Sequence, residues 1–359
     1  MTISEGTGPL RPIPLTILTG FLGAGKTTLL NRLLRDPALA DTVVIVNEFG
    51  EVGLDHLLIE AVDDDLVLLS AGCLCCSVRG DLVAALEDLL RRRDNGRIPP
   101  FRRAVIETTG LADPGPVLGA IMHHPYLSQR YAVGGVVTLV DAVGGGETIE
   151  RFPEAGRQVA LADTLVLSKT DLAHPSADLE TRLRQLNPAA RLVRAQDLGP
   201  DISAILLDTP FGLDRPGRTV AAWLDEPDSG IPHSGRFESL TLVAERPMPV
   251  GALQTALDIL VSTFGPRILR LKGLAAIEGR PERPLVVQGV QHLLQVSSPL
   301  AAWPDDDRRT RLVLVTDGVP RTAVETVWNA FANVAGVDRP DATALTDNPL
   351  APATLRRAV

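Results

Sequence analysis

Gly20-Phe21-Leu22-Gly23-Ala24-Gly25-Lys26-Thr27 is the stretch that decides how this chain folds. It fits the pattern G-x-x-x-x-G-K-[ST] in the context that gives the pattern meaning. An apolar run, Leu15–Leu18, precedes it, and a helical period, Thr28–Leu34, follows. Glycines let successive backbone N–H groups turn inward and cradle phosphate oxygens. The Lys26 ammonium then serves as a point charge for the β- and γ-phosphates, and the Thr27 hydroxyl as a ligand for Mg²⁺. The helix beginning at Thr28 points its positive end at the same anion. Gly20, Gly23, Ala24, Gly25, Lys26, Thr27 and Thr28 are therefore candidate nucleotide-binding residues.

Outward from this loop, short β-branched runs alternate with amphipathic stretches. The runs are Leu15–Leu18, Val43–Val46, Leu66–Leu69, Ala104–Ile106, Val136–Val140, Thr164–Leu167 and Arg191–Val193. Between them, Leu82, Val83, Leu86, Leu89 and Leu90 make one helical face, and Leu179, Leu183 and Leu186 another. Such alternation predicts an α/β, P-loop NTPase fold with a largely parallel sheet, whose ligands bind at the carboxyl ends of the strands. The predicted first domain covers residues 14–198, after an extension over 1–13. A linker rich in Pro, Gly and Asp follows over 199–235, with a helical turn at Val220–Leu224. A small α+β domain is predicted over 236–337 and a loose tail over 338–359. In the second domain the pattern predicts strands Phe237–Ala244, Ile268–Ile277, Leu285–Val296 and Leu312–Thr316, with helices Val250–Thr263 and Thr322–Val334.

Two further motifs belong with the phosphate loop. Ser168-Lys169-Thr170-Asp171 follows an apolar strand and is similar to the N-K-x-D guanine motif, with Ser in place of Asn. A carboxylate at Asp171 offers the paired acceptors that guanine N1 and N2 need and adenine cannot use, while the Lys169 stem packs along the base. An ordinary helix N-cap is the plainer alternative for this segment. Ala104-Val105-Ile106-Glu107-Thr108-Thr109-Gly110 places an acid at a strand's carboxyl end, suited to hold Mg²⁺-bound waters, and then a glycine that lets backbone approach the γ-phosphate. The alternative for Glu107 is a carboxylate that caps the turn before Pro114.

The composition narrows the function. The 359 residues are 45% hydrophobic and 22% charged, enough apolar material for a core and against wholesale disorder. With 35 basic and 44 acidic residues the net charge is −9, and no basic block exceeds Arg91–Arg93, which argues against a nucleic-acid partner. No leader pattern or membrane-length apolar run is read, so a cytoplasmic, membrane-free protein is expected. The only lysines are Lys26, Lys169 and Lys272, and the only cysteines Cys73, Cys75 and Cys76. Lysine this scarce is kept where a compact ammonium does what a guanidinium cannot. Three cysteines within four residues exclude a disulfide scaffold and form a site. Thiolates favour Zn²⁺, Cu⁺ or Co²⁺ over Mg²⁺, and two or three sulfurs leave a tetrahedral position for another ligand. Glu48, Glu51, Asp55 and His56 are the candidate fillers, Glu48 foremost. Buried small hydrophobes or redox thiols are the alternatives for the cysteines.

Together these segments resemble the CobW-like metallochaperone GTPases, kin of the UreG and HypB nickel-insertion GTPases. The resemblance rests on residues 19–28, Asn47-Glu48-Phe49-Gly50, Gly72-Cys73-Leu74-Cys75-Cys76, Glu107-Thr108-Thr109-Gly110 and Ser168–Asp171, in the family's order. It continues at Leu269-Arg270-Leu271-Lys272-Gly273, Val287-Gln288-Gly289-Val290 and Trp303. It implies slow hydrolysis of GTP to GDP with Mg²⁺, binding of Zn²⁺ or Co²⁺ at C-x-C-C, and delivery to a client metalloenzyme. The catalytic candidates are Lys26, Thr27 and Glu107, with Asp55 or Glu48 positioning water. The segment Asn47–His56 is a candidate switch that orders the cysteine loop when GTP is bound. Two rival readings stand beside this one: a P-loop nucleotidase or kinase with redox-sensing cysteines, and a zinc-buffering regulatory protein. Homo-oligomerisation is left open.

Overall fold

The structure, a computed structural model, describes residues 12–47, 58–61, 67–71, 78–188, 190–199, 202–207, 237–296 and 299–332. In chain order the first unit comprises β1 (Ile13–Gly20), α1 (Lys26–Leu33), β2 (Thr42–Asn47), β3 (Leu58–Ala61), β4 (Val67–Ala71), α2 (Val78–Asp94) and β5 (Arg103–Glu107). It continues through α3 (Pro114–His123), α4 (Leu127–Arg130), β6 (Tyr131–Asp141), α5 (Gly145–Arg151), α6 (Pro153–Leu161), β7 (Thr164–Ser168), α7 (Ala177–Leu186), β8 (Arg191–Arg194) and α8 (Ala204–Leu207). Their strands form one eight-stranded sheet in the order β3-β4-β2-β5-β1-β6-β7-β8. Every pairing is parallel except that of β3 with β4. The largely parallel P-loop sheet expected from the sequence is therefore present. The antiparallel edge strand β3 has no counterpart in the sequence pattern, because four residues carry too little periodicity.

Parallel strands are covered on both faces, and their sequences are accordingly continuous apolar runs rather than alternating ones. On one face, Leu82, Leu86, Leu89 and Leu90 of α2 and Val117, Leu118 and Ile121 of α3 bury against Leu15, Ile17, Val43 and Ile106. On the other, Leu29, Leu30 and Leu33 of α1 pack with Leu18, Val44, Val105 and Val137. Ile202, Ile205 and Leu206 join that second cluster, so this part of the stretch read as a linker lies in the first unit's core. The helical turn expected at Val220–Leu224 and the tail over 338–359 lie outside the described residues.

The second unit comprises β9 (Phe237–Ala244), α9 (Val250–Phe264), β10 (Ile268–Ala275), β11 (Leu285–Val290), β12 (Leu293–Val296), β13 (Thr310–Asp317) and α10 (Arg321–Ala332). Its sheet, ordered β12-β11-β10-β13-β9, is antiparallel throughout. The run Leu285–Val296, expected as one strand, is instead a hairpin turning at Gln291 and His292. Gln291 takes φ +54, a left-handed conformation that is uncommon outside glycine. One face of this sheet packs on Leu253, Leu257 and Leu260 of α9 and on Val324 and Trp328 of α10. The other face meets the first unit: Phe237, Leu269, Val290 and Val315 lie in the same apolar cluster as β1, α2 and α3. That double coverage explains why all eight residues of β10 are buried.

Candidate functional site

The phosphate loop joins the central strand β1 to α1. The turn into the helix depends on Gly25, whose φ of +90 is a left-handed conformation that a Cβ would oppose. Lys26 opens the helix and folds its Nζ back on the loop, donating to the carbonyls of Gly20 (2.9 Å) and Phe21 (3.4 Å). Burial lowers the Lys26 pKa and the Glu107 carboxylate opposes that shift. Ala24 is buried, and its N–H donates to Phe21 O (3.1 Å). Thr27 and Thr28 stand exposed on the first turn.

Glu107 ends β5, one strand away from β1, and is buried. Thr27 Oγ1 donates to its Oε1 at 3.2 Å. A hydroxyl beside a buried carboxylate is an all-oxygen donor set suited to a hard cation such as Mg²⁺. The next residues are tied to the phosphate loop's own strand. The Thr108 N–H donates to Leu18 O (2.9 Å), and Thr108 Oγ1 donates to Thr19 Oγ1 (2.7 Å). At Gly110 a Cβ would stand 2.6 Å from the backbone nitrogen of Leu22. Two backbone segments 88 positions apart thus lie in direct contact.

Across the loop, Ser168 ends β7, and its Oγ donates to Val140 O (3.2 Å). The Ser168 Cβ lies 4.0 Å from where a Cβ at Gly25 would stand, so this segment borders the phosphate loop. Lys169 adopts φ +55 and places its Nζ on Asp141 Oδ2, at the carboxyl end of β6. Asp141 Oδ1 in turn accepts the Val143 N–H (2.8 Å). Burial pushes the Asp141 carboxyl up, but Lys169 and the N–H groups of Val143 and Gly144 outweigh it and hold the pKa below its ordinary value. Asp171 is exposed at the mouth of this loop.

Glu48, Asp55, Cys73, Cys75 and Cys76 lie outside the described residues, and among the described residues no cluster of His, Cys, Asp and Glu could hold a metal. The strands that lead to them are described. Val46 of β2 pairs in register with Glu107, and Asn47 with Ala71, the last residue of β4. The chain therefore leaves for Glu48, and for Cys73 two residues after Ala71, from the carboxyl edge that carries Glu107. The two strand spacings from β5 to β4 amount to about 10 Å.

Sequence reasoning missed Asp141, the Thr19–Thr108 pair and Gln158, whose buried amide donates to the Gly110 and Ala112 carbonyls after Glu107. Asp141 had a signal, an acid directly after the apolar run Val136–Val140. Gln158 had none, because α6 carries no motif.

Residues 14–194 match the CobW/HypB/UreG nucleotide-binding domain. The chain belongs to this family. Residues 237–332 match the cobalamin synthesis protein cobW C-terminal domain, so both halves of the CobW arrangement are present. The zinc chaperone YjiA of Escherichia coli is 35% identical over 325 residues, which are 90% of this chain and 99% of that protein. The zinc chaperone CobW of Pseudomonas aeruginosa is 31% identical over 351 residues, 88% of this chain and 90% of its own. The crystal structure of Zn(II)-bound YjiA GTPase from E. coli superposes with a TM-score of 0.69 at 32% identity, covering 90% of this chain and 99% of that one. As a CobW-family chain it shares the fold of a GTPase. Among the described residues no helix is long and apolar enough to cross a membrane.

Proposed function

We propose that this CobW-family protein is a GTP-hydrolysing metallochaperone. It binds Zn²⁺ or Co²⁺ through Cys73, Cys75 and Cys76, with Glu48 as a further ligand, and delivers the metal to a client metalloenzyme under control of the bound nucleotide. The observation that supports this reading is the register Val46–Glu107 and Asn47–Ala71, by which β2 and β4, the strands that precede Glu48 and Cys73 in the chain, end at the same sheet edge as Glu107. Relatives named as zinc chaperones support the cargo. The place of action is the cytoplasm, and neither nucleic acid nor membrane is a partner.

In this reading Lys26 leaves the Gly20 and Phe21 carbonyls for the β- and γ-phosphate oxygens, to which the Gly23–Thr28 backbone donates. Thr27, and Glu107 through water, hold Mg²⁺, which when bound neutralises phosphate charge. Asp171 accepts from guanine N1 and N2 while Lys169, braced by Asp141, lies along the base. Ser168 keeps the motif attached to β6 through Val140 rather than through an Asn side chain. Glu48 or Asp55 orients the attacking water. For the nucleotide to move metal occupancy from 99:1 to 1:99, its two states must differ about 10⁴-fold, or about 5.5 kcal/mol, in metal affinity.

The test is an anaerobic competition titration of Co²⁺ and Zn²⁺ with excess Mg²⁺ and either a non-hydrolysable GTP analogue or GDP, in wild type and Cys75→Ala. Cobalt–thiolate charge-transfer absorption reports sulfur ligation directly. Affinity several orders of magnitude tighter with the analogue, and lost in Cys75→Ala, is expected. Equal affinity in the two nucleotide states would sink the gated chaperone and leave a zinc buffer or a redox-regulated P-loop enzyme.

A further inference from the structure

Helix α6 is nine residues long, yet three consecutive positions on it touch both the loop after Glu107 and the paired ends of β9 and β13, where Phe237 lies opposite Asp317. Gln158 is 1% exposed, and its amide donates to the carbonyls of Gly110 (3.1 Å) and Ala112 (2.9 Å), the loop that follows Glu107. Thr138 Oγ1 of β6 donates to the Gln158 carbonyl (2.8 Å) and fixes the helix from behind. Arg157 stands between Asp113, which caps α3 at the end of that loop, and Asp317, the last residue of β13, at 3.4 Å from each. Gly156 receives the Phe237 ring so closely that a Cβ would lie 2.4 Å from Cε2. Just beyond the helix, Asp163 accepts the Val136 N–H (2.8 Å) and pairs with Arg270 (3.0 Å) and Lys272 of β10, all within the buried interface.

Successive helical positions are about 100° apart, so Gly156, Arg157 and Gln158 necessarily face different neighbours. A buried amide that has lost its acceptors is costly. A shift of the Gly110 carbonyl therefore drags Gln158, and with it a short helix clamped at Phe237, Asp317 and Asp163. Packed interfaces transmit such shifts because they cannot deform gradually.

We propose that α6 couples the Glu107–Ala112 loop to the C-terminal unit, with Gln158 as the positioning residue that holds Gly110 and Ala112. The proposal rests on the GTPase reading above, with Glu107 at the Mg²⁺ site and the Gly110 backbone beside the γ-phosphate. Coupling of this kind is reciprocal. If α6 carries this coupling, a change at Asp317, on the C-terminal unit, alters how the protein distinguishes GTP from GDP.

The test measures the affinity of the full chain for fluorescent GDP and a fluorescent non-hydrolysable GTP analogue in wild type, Asp317→Asn and Gln158→Leu. Single-turnover hydrolysis of GTP at saturation is measured alongside, with hydrogen exchange of wild type in both nucleotide states. A change of about fivefold or more in the analogue-to-GDP affinity ratio in Asp317→Asn is expected. Gln158→Leu is expected to slow the single turnover about 10²-fold more than it weakens GDP binding. Amides of residues 237–317 are expected to differ in protection between the two nucleotide states of wild type. The exchange measurement needs no variant and stands even where Gln158→Leu does not fold. An Asp317→Asn ratio changed less than fivefold, or identical protection of 237–317 in the two states, overturns the proposal. Wild type that binds or hydrolyses no GTP overturns the GTPase reading itself.

Discussion

Thr27 Oγ1 and Glu107 Oε1 meet at 3.2 Å although they stand 80 positions apart, because β1 and β5 pair in parallel with Leu18 opposite Glu107. The pairing brings the first turn of α1 and the end of β5 to one point at the sheet's carboxyl edge. Partners that orient a metal ligand are worth about 10- to 100-fold in metal affinity or activity. Glu107→Gln, which keeps the shape and removes the charge, is therefore expected to raise the Mg²⁺ concentration needed for half-maximal GTP hydrolysis by about that factor. A Mg²⁺ titration of phosphate release checks this. An unchanged midpoint would remove Glu107 from the metal site.

The base motif makes a prediction of its own. Xanthine presents an acceptor where guanine presents the N2 amine, so an Asn at 171 can pair with xanthine as Asp pairs with guanine. Hydrogen bonds to a charged group contribute about 1.5–3 kcal/mol, which is about 10- to 100-fold in affinity. Asp171→Asn is expected to lose GTP affinity in that range and to gain affinity for XTP, read by competition against a fluorescent nucleotide. Asp141→Asn, which releases Lys169 from its brace, is expected to weaken GTP binding without favouring XTP.

At the interface, Asp163 is the carboxylate that balances Arg270 and Lys272, and all three are buried. Removing one partner from such a cluster costs about 3–5 kcal/mol, here because the Arg270 charge stays buried without compensation. Asp163→Asn should lower unfolding stability by about that amount in urea titrations. A loss below 1 kcal/mol would show that the cluster is not what joins the two units.

The same cluster predicts a pH dependence. Burial and the neighbouring Arg270 charge push the Lys272 pKa down from 10.5 to about 7, against the pull of Asp163. In the unfolded chain the ammonium keeps its ordinary pKa, so between about pH 7 and 10.5 the unfolded state binds more protons. Stability contributed through Lys272 therefore rises with pH across that window. The rise in Tm from pH 7 to pH 9 is expected to be smaller in Lys272→Met than in wild type. Equal rises would exclude Lys272 as its source.

Gly110 tests the contact between the Glu107–Ala112 loop and the phosphate loop. A Cβ there meets the Leu22 backbone at 2.6 Å, a clash that no side-chain rotation relieves. Gly110→Ala should destabilise the protein by about 1–3 kcal/mol and slow GTP turnover by about 10²-fold, while GDP affinity changes far less. Stopped-flow GDP binding beside single-turnover hydrolysis separates the two effects.

The legible part of this protein is local. Gly20–Thr27, Glu107, Ser168–Asp171 and the three cysteines are short segments whose residue types suffice to announce phosphate, base or metal chemistry, because the required groups lie within a few bonds of one another. Parallel strands buried on both faces read clearly as apolar runs, so the α/β class and seven of the eight strands of the first sheet could be anticipated. The hairpin at Gln291 could not. Its turn residues carry none of the Gly or Asn signals of tight turns, and the flanks Leu285–Val290 and Leu293–Val296 read as one apolar run.

What only the tertiary structure decided is which of these segments meet. Asp141 against Lys169, Gln158 on the Gly110 carbonyl and Asp163 between Arg270 and Lys272 join residues 28, 48 and 107 or more positions apart. The local sequence by itself determined the chemistry available to this protein. Strand order and register determined the geometry in which that chemistry is assembled, because a side chain's partner across a sheet or interface is set by the packing of whole elements and leaves no trace in its immediate neighbours along the chain.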